Sequence, residues 1–201
     1  MREASLPKLS QARQELRRQQ ILQAAMRCFV RNGMGRTSVA DITAESGLSA
    51  GSIYTHFASK AEIVQATAQD LLERRLTALA GFVGEARLPS PAQLLRHLAD
   101  GISRDEARVG LQAWGEATTD PVMCGNVVAT TDGMRDAIAA HCEVWLVAVK
   151  GHEASVARSR AAGLAAQLMA VYQGLIVRKA LFGTTDAADE TFIADAADRF
   201  A

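Results

Sequence analysis

Aromatic residues are scarce in this chain, at 5% of 201 positions, and it has only four prolines and three cysteines. Few prolines and an apolar content dominated by alanine favour helices. The cysteines, Cys28, Cys124 and Cys142, are odd in number and far apart. They argue against a disulfide scaffold and for a reducing compartment. No apolar run approaches the ~18 residues that a bilayer crossing needs. The N-terminal stretch MREASLPKLSQARQELRRQQ lacks the apolar centre of a signal peptide. The expected location is therefore the cytoplasm, with no membrane partner. Strand-like alternation, internal repeats and low-complexity tracts are missing as well.

Catalytic patterns are equally thin. The four histidines, His56, His97, His141 and His152, form no HExxH and meet no cysteine cluster, so a metal site is unsupported. Cys142 adjoins His141, but successive side chains on a helix point about 100° apart and make a poor nucleophile–base pair. No glycine-rich phosphate loop follows a strand. The expectation is a non-enzymatic protein with no cofactor and no metal.

What the chain does have begins with uneven charge. The formal net charge is zero, from 22 basic and 22 acidic residues. Residues 1–60 hold nine Lys/Arg and four Asp/Glu, which leaves 13 and 18 for the remainder. A basic N-terminal third on an acidic body suggests a polyanion for that third.

Helical signals fill the rest. Ile21, Ala25, Cys28 and Phe29 recur at helical spacing, and Gly33 ends that segment. Two short helices follow: one capped by Ser38 with Asp41 three residues on and closed by Gly47, one capped by Ser49. Ser59 and Glu62 form a capping box for a long helix from Lys60. Further helices are expected over about 90–103, 104–118, 121–150, 154–182 and 188–200. The TTDGM stretch is the place where the third of these, over 121–150, could break. The fold class is all-α, with about nine helices.

The helix expected over about 154–182 is apolar on two faces, Leu164, Leu168, Val171 and Leu175 on one and Met169, Tyr172 and Ile176 on the other. Phe192, Ala196 and Phe200 continue an apolar stripe on the last helix. Either both helices lie inside one core, or one face meets a second copy of the chain. The second reading makes Leu164, Leu168, Val171, Leu175, Phe192, Ala196 and Phe200 a dimer interface.

Across ESGLSAG the two short helices have the form of a helix-turn-helix. Gly47 can take a left-handed turn conformation, Leu48 plugs the gap, and Ile42, Ala44, Ile53 and Phe57 would form the small core. The run ILQAAMRCFVRNGMGRTSVADITAESGLSAGSIYTHFASKAEIV closely resembles the DNA-binding domain of the tetracycline-repressor (TetR) family. The elements that carry the resemblance are TSVADIT, SGLSAGSIYTHF and SKAEI, in register without a gap.

That resemblance implies an all-α homodimer that binds a near-palindromic operator in double-stranded DNA. It divides the chain into a flexible basic arm (1–13), a helix-turn-helix domain (14–59) and a helical ligand-binding and dimerisation domain (60–201). By the same resemblance, Thr37 and Ser38 would hold a phosphate, and Ser49, Ala50, Gly51 and Ser52 would face base edges. Tyr54 and His56 resemble a backbone-contacting pair, and Lys60 resembles a phosphate-binding lysine.

One departure matters. Positions 50–52 are Ala-Gly-Ser, without an Arg, Gln or Asn to make bidentate base contacts. Ser52, Thr55 and the Ala50 methyl are the only candidates for direct readout, so DNA shape or the basic arm (Arg2, Lys8, Arg13, Arg17, Arg18) would supply the rest. The alternative for that arm is a solvated tail.

In the larger domain the resemblance implies a small-molecule effector. Trp114, Met134, Ile138, His141, Trp145, Met169 and Tyr172 are the candidate lining, suited to a small, largely apolar molecule. Each could equally be core. The reading is a repressor released by that effector. The alternatives are a DNA-binding regulator with no effector, or one that senses through Cys124 or Cys142.

Overall fold

The computed structural model describes residues 6–83, 88–183 and 191. The chain divides into two compact units, Met1–Ala68 and Gln69–Ala201. Among the described residues there are eight helices and no strand. The ninth helix expected over 188–200, with Phe192, Ala196 and Phe200, lies outside the described residues.

In the first unit α1 spans Leu6–Asn32, α2 Val39–Ser46 and α3 Ala50–His56, and α4 (Lys60–Val83) begins there. Residues 6–13, expected in a flexible arm, instead continue α1. Pro7 falls in the first turn, where a missing N–H costs nothing, and Lys, Leu, Gln, Ala and Arg after it are good helix formers.

Local chemistry sets the other boundaries. Gly33 (φ 86°) and Gly47 (φ 67°) stop α1 and α2 in the left-handed region that glycine enters cheaply. Ser38 and Asp41 form a reciprocal capping box at α2, and Ser49 caps α3 by accepting from Ser52 N–H at 3.2 Å. At α4 the box is modified. Ser59 accepts from Glu62 N–H at 3.2 Å, but the Glu62 carboxylate accepts from Ala58, one residue earlier than the usual partner.

Ile21, Leu22, Ala25, Cys28 and Phe29 of α1 form the floor of this unit's core, and Ile42, Leu48, Ile53, Phe57, Ile63 and Val64 close it. Ala44, expected among them, is exposed.

In the second unit lie α5 (Pro91–Asp100), α6 (Arg104–Ala117), α7 (Pro121–Ala148) and α8 (Ala154–Phe182). Ser90, Ser103 and Asp120 cap the first three with side-chain hydrogen bonds. The TTDGM stretch leaves α7 unbroken. The Thr131 hydroxyl returns to the Val127 carbonyl at 2.8 Å, a bond that fits within the helix.

Helix α8 is the hub, packed on α5, α6 and α7. It is long and apolar enough to cross a membrane, yet Ala157, Ala161, Ala165, Leu168, Tyr172 and Leu175 pack into the unit's own core.

This corrects the expected dimer face. Leu168 and Leu175 are core residues of one chain, and Leu164 and Val171 are half-buried against that core. Both apolar faces of α8 are covered from within. The face left uncovered carries Gly163, Ala166, Ala170 and Gly174, all exposed.

Candidate nucleic-acid interface

The small core of the first unit fixes α3 by one side and leaves the other to solvent. Ile53 is completely buried and Phe57 nearly so. Ser49, Ala50, Gly51, Tyr54 and Thr55 are exposed, and Ser52 and His56 are half-buried. Tyr54 is 55% exposed, a large aromatic ring held out of a core that has room only for its neighbours. Such a ring with its phenol hydroxyl is suited to a surface that is part apolar and part polar.

The polar groups on α3 are largely engaged locally. The Ser49 hydroxyl is the cap acceptor, and the Thr55 hydroxyl donates to the Gly51 carbonyl at 2.9 Å. Lys60 Nζ donates to the Gly35 carbonyl at 2.9 Å, which ties the start of α4 to the α1–α2 turn.

Thr37 does not meet the role that the resemblance implies for it. It is 1% exposed, and its hydroxyl donates to the carbonyls of Gly33 at 2.8 Å and Cys28 at 3.2 Å. Its hydroxyl is a brace for the turn, with no face toward a phosphate.

Ser38 is exposed, but its N–H and hydroxyl both donate to Asp41 Oδ2, at 2.8 and 2.7 Å. These donors hold the Asp41 carboxyl below the usual carboxylate range, the backbone bond foremost. The N-terminus of α2 thus already carries its own anion, where a phosphate would otherwise be favoured.

Three interactions were not read from the sequence. Glu45 on α2 accepts from Arg27 at 2.6 Å and from Arg31 at 3.0 Å, and the Arg27 bond leads in depressing its carboxyl. Gln20 donates to the Ser46 carbonyl at 2.8 Å. The Arg18 guanidinium lies 5.8 Å from the centre of the Phe57 ring, beside the C-terminus of α3. Arg27 and Arg31 at i, i+4 on α1 were the available signal for the first.

The residues expected to line an effector pocket converge in the second unit. Met134, Ile138, Trp145, Met169 and Tyr172 belong to one buried cluster, and Trp114 packs against it half-buried. His141 is 7% exposed, and its Nε2 lies 2.9 Å from the Pro89 carbonyl. Because a carbonyl only accepts, that nitrogen carries the proton, and Nδ1 is left as a buried acceptor without a partner. Burial holds this imidazole below its ordinary pKa, in the neutral form.

The thiols divide by burial. Burial pushes the Cys142 thiol up to about 12 and raises Cys28 as well, while Cys124 is exposed. A thiol so disfavoured as thiolate is a poor redox sensor, which removes Cys142 from that reading. No group of three or more His, Cys, Asp or Glu among the described residues could hold a metal ion.

One long helix, two short ones joined by a glycine turn, and an open face on the last of them define a helix-turn-helix DNA-binding domain. Residues 21–67 match the family model of bacterial regulatory proteins, tetR family. The chain is 48% identical over 56 residues to the HTH-type transcriptional regulator TtgR of Pseudomonas putida, covering 28% of this chain and 27% of that protein. It thus spans about a quarter of that relative's length.

The likeness in fold is wider. A putative TetR-family transcriptional regulator from a Rhodococcus species superposes with a TM-score of 0.71 at 18% identity, over 92% of this chain and 97% of that one. A putative transcriptional regulator from Saccharomonospora viridis, crystallised in complex with choline, gives 0.64 at 21% identity, over 91% and 94%. The curated relatives are named as transcriptional regulators, a non-enzymatic role.

Proposed function

We propose that this protein is a dimeric, cytoplasmic transcriptional repressor that binds a near-palindromic operator and is released by a small, largely apolar effector. The observation that carries the reading is α3. Its buried Ile53 locks it to the domain, while Ser49, Ala50, Gly51, Tyr54 and Thr55 stand open on the other side. Those residues are the proposed DNA contacts, with Ser52, His56 and Lys60 at their edge. Thr37 leaves the set, and Ser38 contributes as a helix cap.

Two copies would meet through the uncovered face of α8. Gly163, Ala166, Ala170 and Gly174 recur at spacings of three and four and would let two helix backbones approach closely. The effector would enter the cluster around Met134, Ile138, Trp145, Met169 and Tyr172, with His141 Nδ1 as a polar handle. The choline complex of the Saccharomonospora protein supports a small-molecule role for this fold. An effector acts only if it favours a geometry whose recognition helices no longer fit successive major grooves.

Selection from a random-sequence duplex pool by the full-length protein tests the reading. An enriched two-fold-symmetric site bound by a dimer is expected. Failure to enrich any site, or binding as a monomer, would overturn it.

A further inference from the structure

We infer that the N-terminal turns of α1 are a second DNA-docking element, which grips operator phosphates outside the reach of α3. The inference rests on the DNA-binding reading and extends its footprint.

Every residue from Gln11 to Arg17 is exposed, over nearly two helical turns. A helix of ordinary composition draws its stability from packing one face, and this stretch packs none. Arg13 and Arg17 stand at i, i+4 on a single stripe. Like charges at that spacing destabilise a helix slightly. No ion pair or hydrogen bond engages either guanidinium among the described residues, and Glu15, the acid between them, is engaged by Gln19 and Arg18.

The stripe has a direction. Gln20 follows Arg17 by three residues and Arg13 by seven, and Arg27 and Arg31 lie seven and eleven residues beyond it, so the side of α1 that carries the stripe runs on to the side chains that hold α2. Arg18, one residue on, sits over Phe57 at the end of α3. The two free cations therefore project from the same domain as the recognition helix, one to two turns beyond its anchor. Arginine suits phosphate oxygens because its planar fork donates in pairs. The occupant whose charge fits this stripe is the DNA backbone.

The test uses full-length protein and a duplex enriched from random sequence, in a long form with extended flanks and a short form trimmed to the two half-sites. Arg13→Gln/Arg17→Gln should lower the slope of log K against log salt on the long duplex by about 0.9 per lost contact in each protomer. The hydroxyl-radical footprint should shrink at its outer edges. On the short duplex wild type and variant should bind alike. Arg13→Lys/Arg17→Lys, which keeps the charge, should restore most of the slope. An unchanged slope and footprint on the long duplex would overturn the inference while leaving the DNA-binding reading intact. If wild type enriches no duplex at all, both readings fall together.

Discussion

Gly51 and Ser49 stand apart: a β-carbon built on Gly51 would meet nothing nearer than Ser49 Oγ, 4.0 Å away. The backbone there is helical, so nothing inside the domain requires glycine. Gly51→Ala should stabilise the domain by roughly 0.5–1 kcal/mol, the usual gain for Ala over Gly in a helix. The same variant should bind the operator more weakly, because the added methyl keeps α3 from its closest approach. Urea unfolding and a duplex titration measure the two effects. Tight binding retained by the alanine variant would show that Gly51 does not face the groove.

Thr37→Val keeps the side-chain volume and removes the hydroxyl that braces Gly33 and Cys28. The expected cost is about 1–3 kcal/mol of stability, from carbonyls left short of a partner. If the hydroxyl has no phosphate contact, the salt slope of operator binding stays at the wild-type value. A lower slope would return Thr37 to the interface.

Protonation should weaken the two units in different pH windows. His141 has a depressed folded-state pKa, so its contribution is fully present above the ordinary value near 6.5. It is lost as pH falls below that, because the unfolded chain takes up the proton first. Asp41 and Glu45 are also depressed, so their contributions persist above the ordinary values of 3.8 and 4.5 and fail only in more acid solution. Hydrogen exchange at pH 7, 5.5 and 4 should show the second unit loosening first. His141→Phe should remove the earlier loss, and Glu45→Gln should reduce the later one.

On α8 a charge and a cavity should act differently. Ala170→Glu, on the uncovered face, should yield a folded monomer with poor operator binding. Leu168→Ala, in the core, should lower stability by about 2–5 kcal/mol. Sedimentation and thermal unfolding separate the cases. A dimer that survives Ala170→Glu would place the interface elsewhere.

The helix boundaries of α2 and α3 were legible because caps are local, while those of α5 to α8 were legible from helical spacing, and α8 starts after Glu153 with no side-chain cap. Ser38 and Ser49 each sit next to the helix they start. The open face of α3 was legible too, since its alternation of small and apolar residues matches a known domain. Burial was harder to read. The same hydroxyl at position 37 would serve as a phosphate donor on a surface and as a brace in an interior, and only tertiary packing decides. Two apolar faces on α8 could not say which neighbour covers which. Glu45 read as an ordinary helix acid until α1 brought two arginines to it. The helix over residues 6–13 was not legible because a polar composition suits a tail and an exposed helix equally, and residues 1–5 of the expected arm lie outside the described residues.

The ion pairs on Glu45 bear on how this protein would find its site. The count of nine basic residues among the first 60 overstates the charge that DNA would meet. Glu45 offsets one of the two charges of Arg27 and Arg31, and Glu15 offsets Arg18, whereas Arg36 and Lys60 bind neutral carbonyls and keep their charge, as do Arg13 and Arg17. Fewer counterions would then be displaced on contact with arbitrary sequence than nine cations would displace, so random encounters would be shortened. Such a protein would scan a chromosome by short visits and dwell only where the groove admits Gly51.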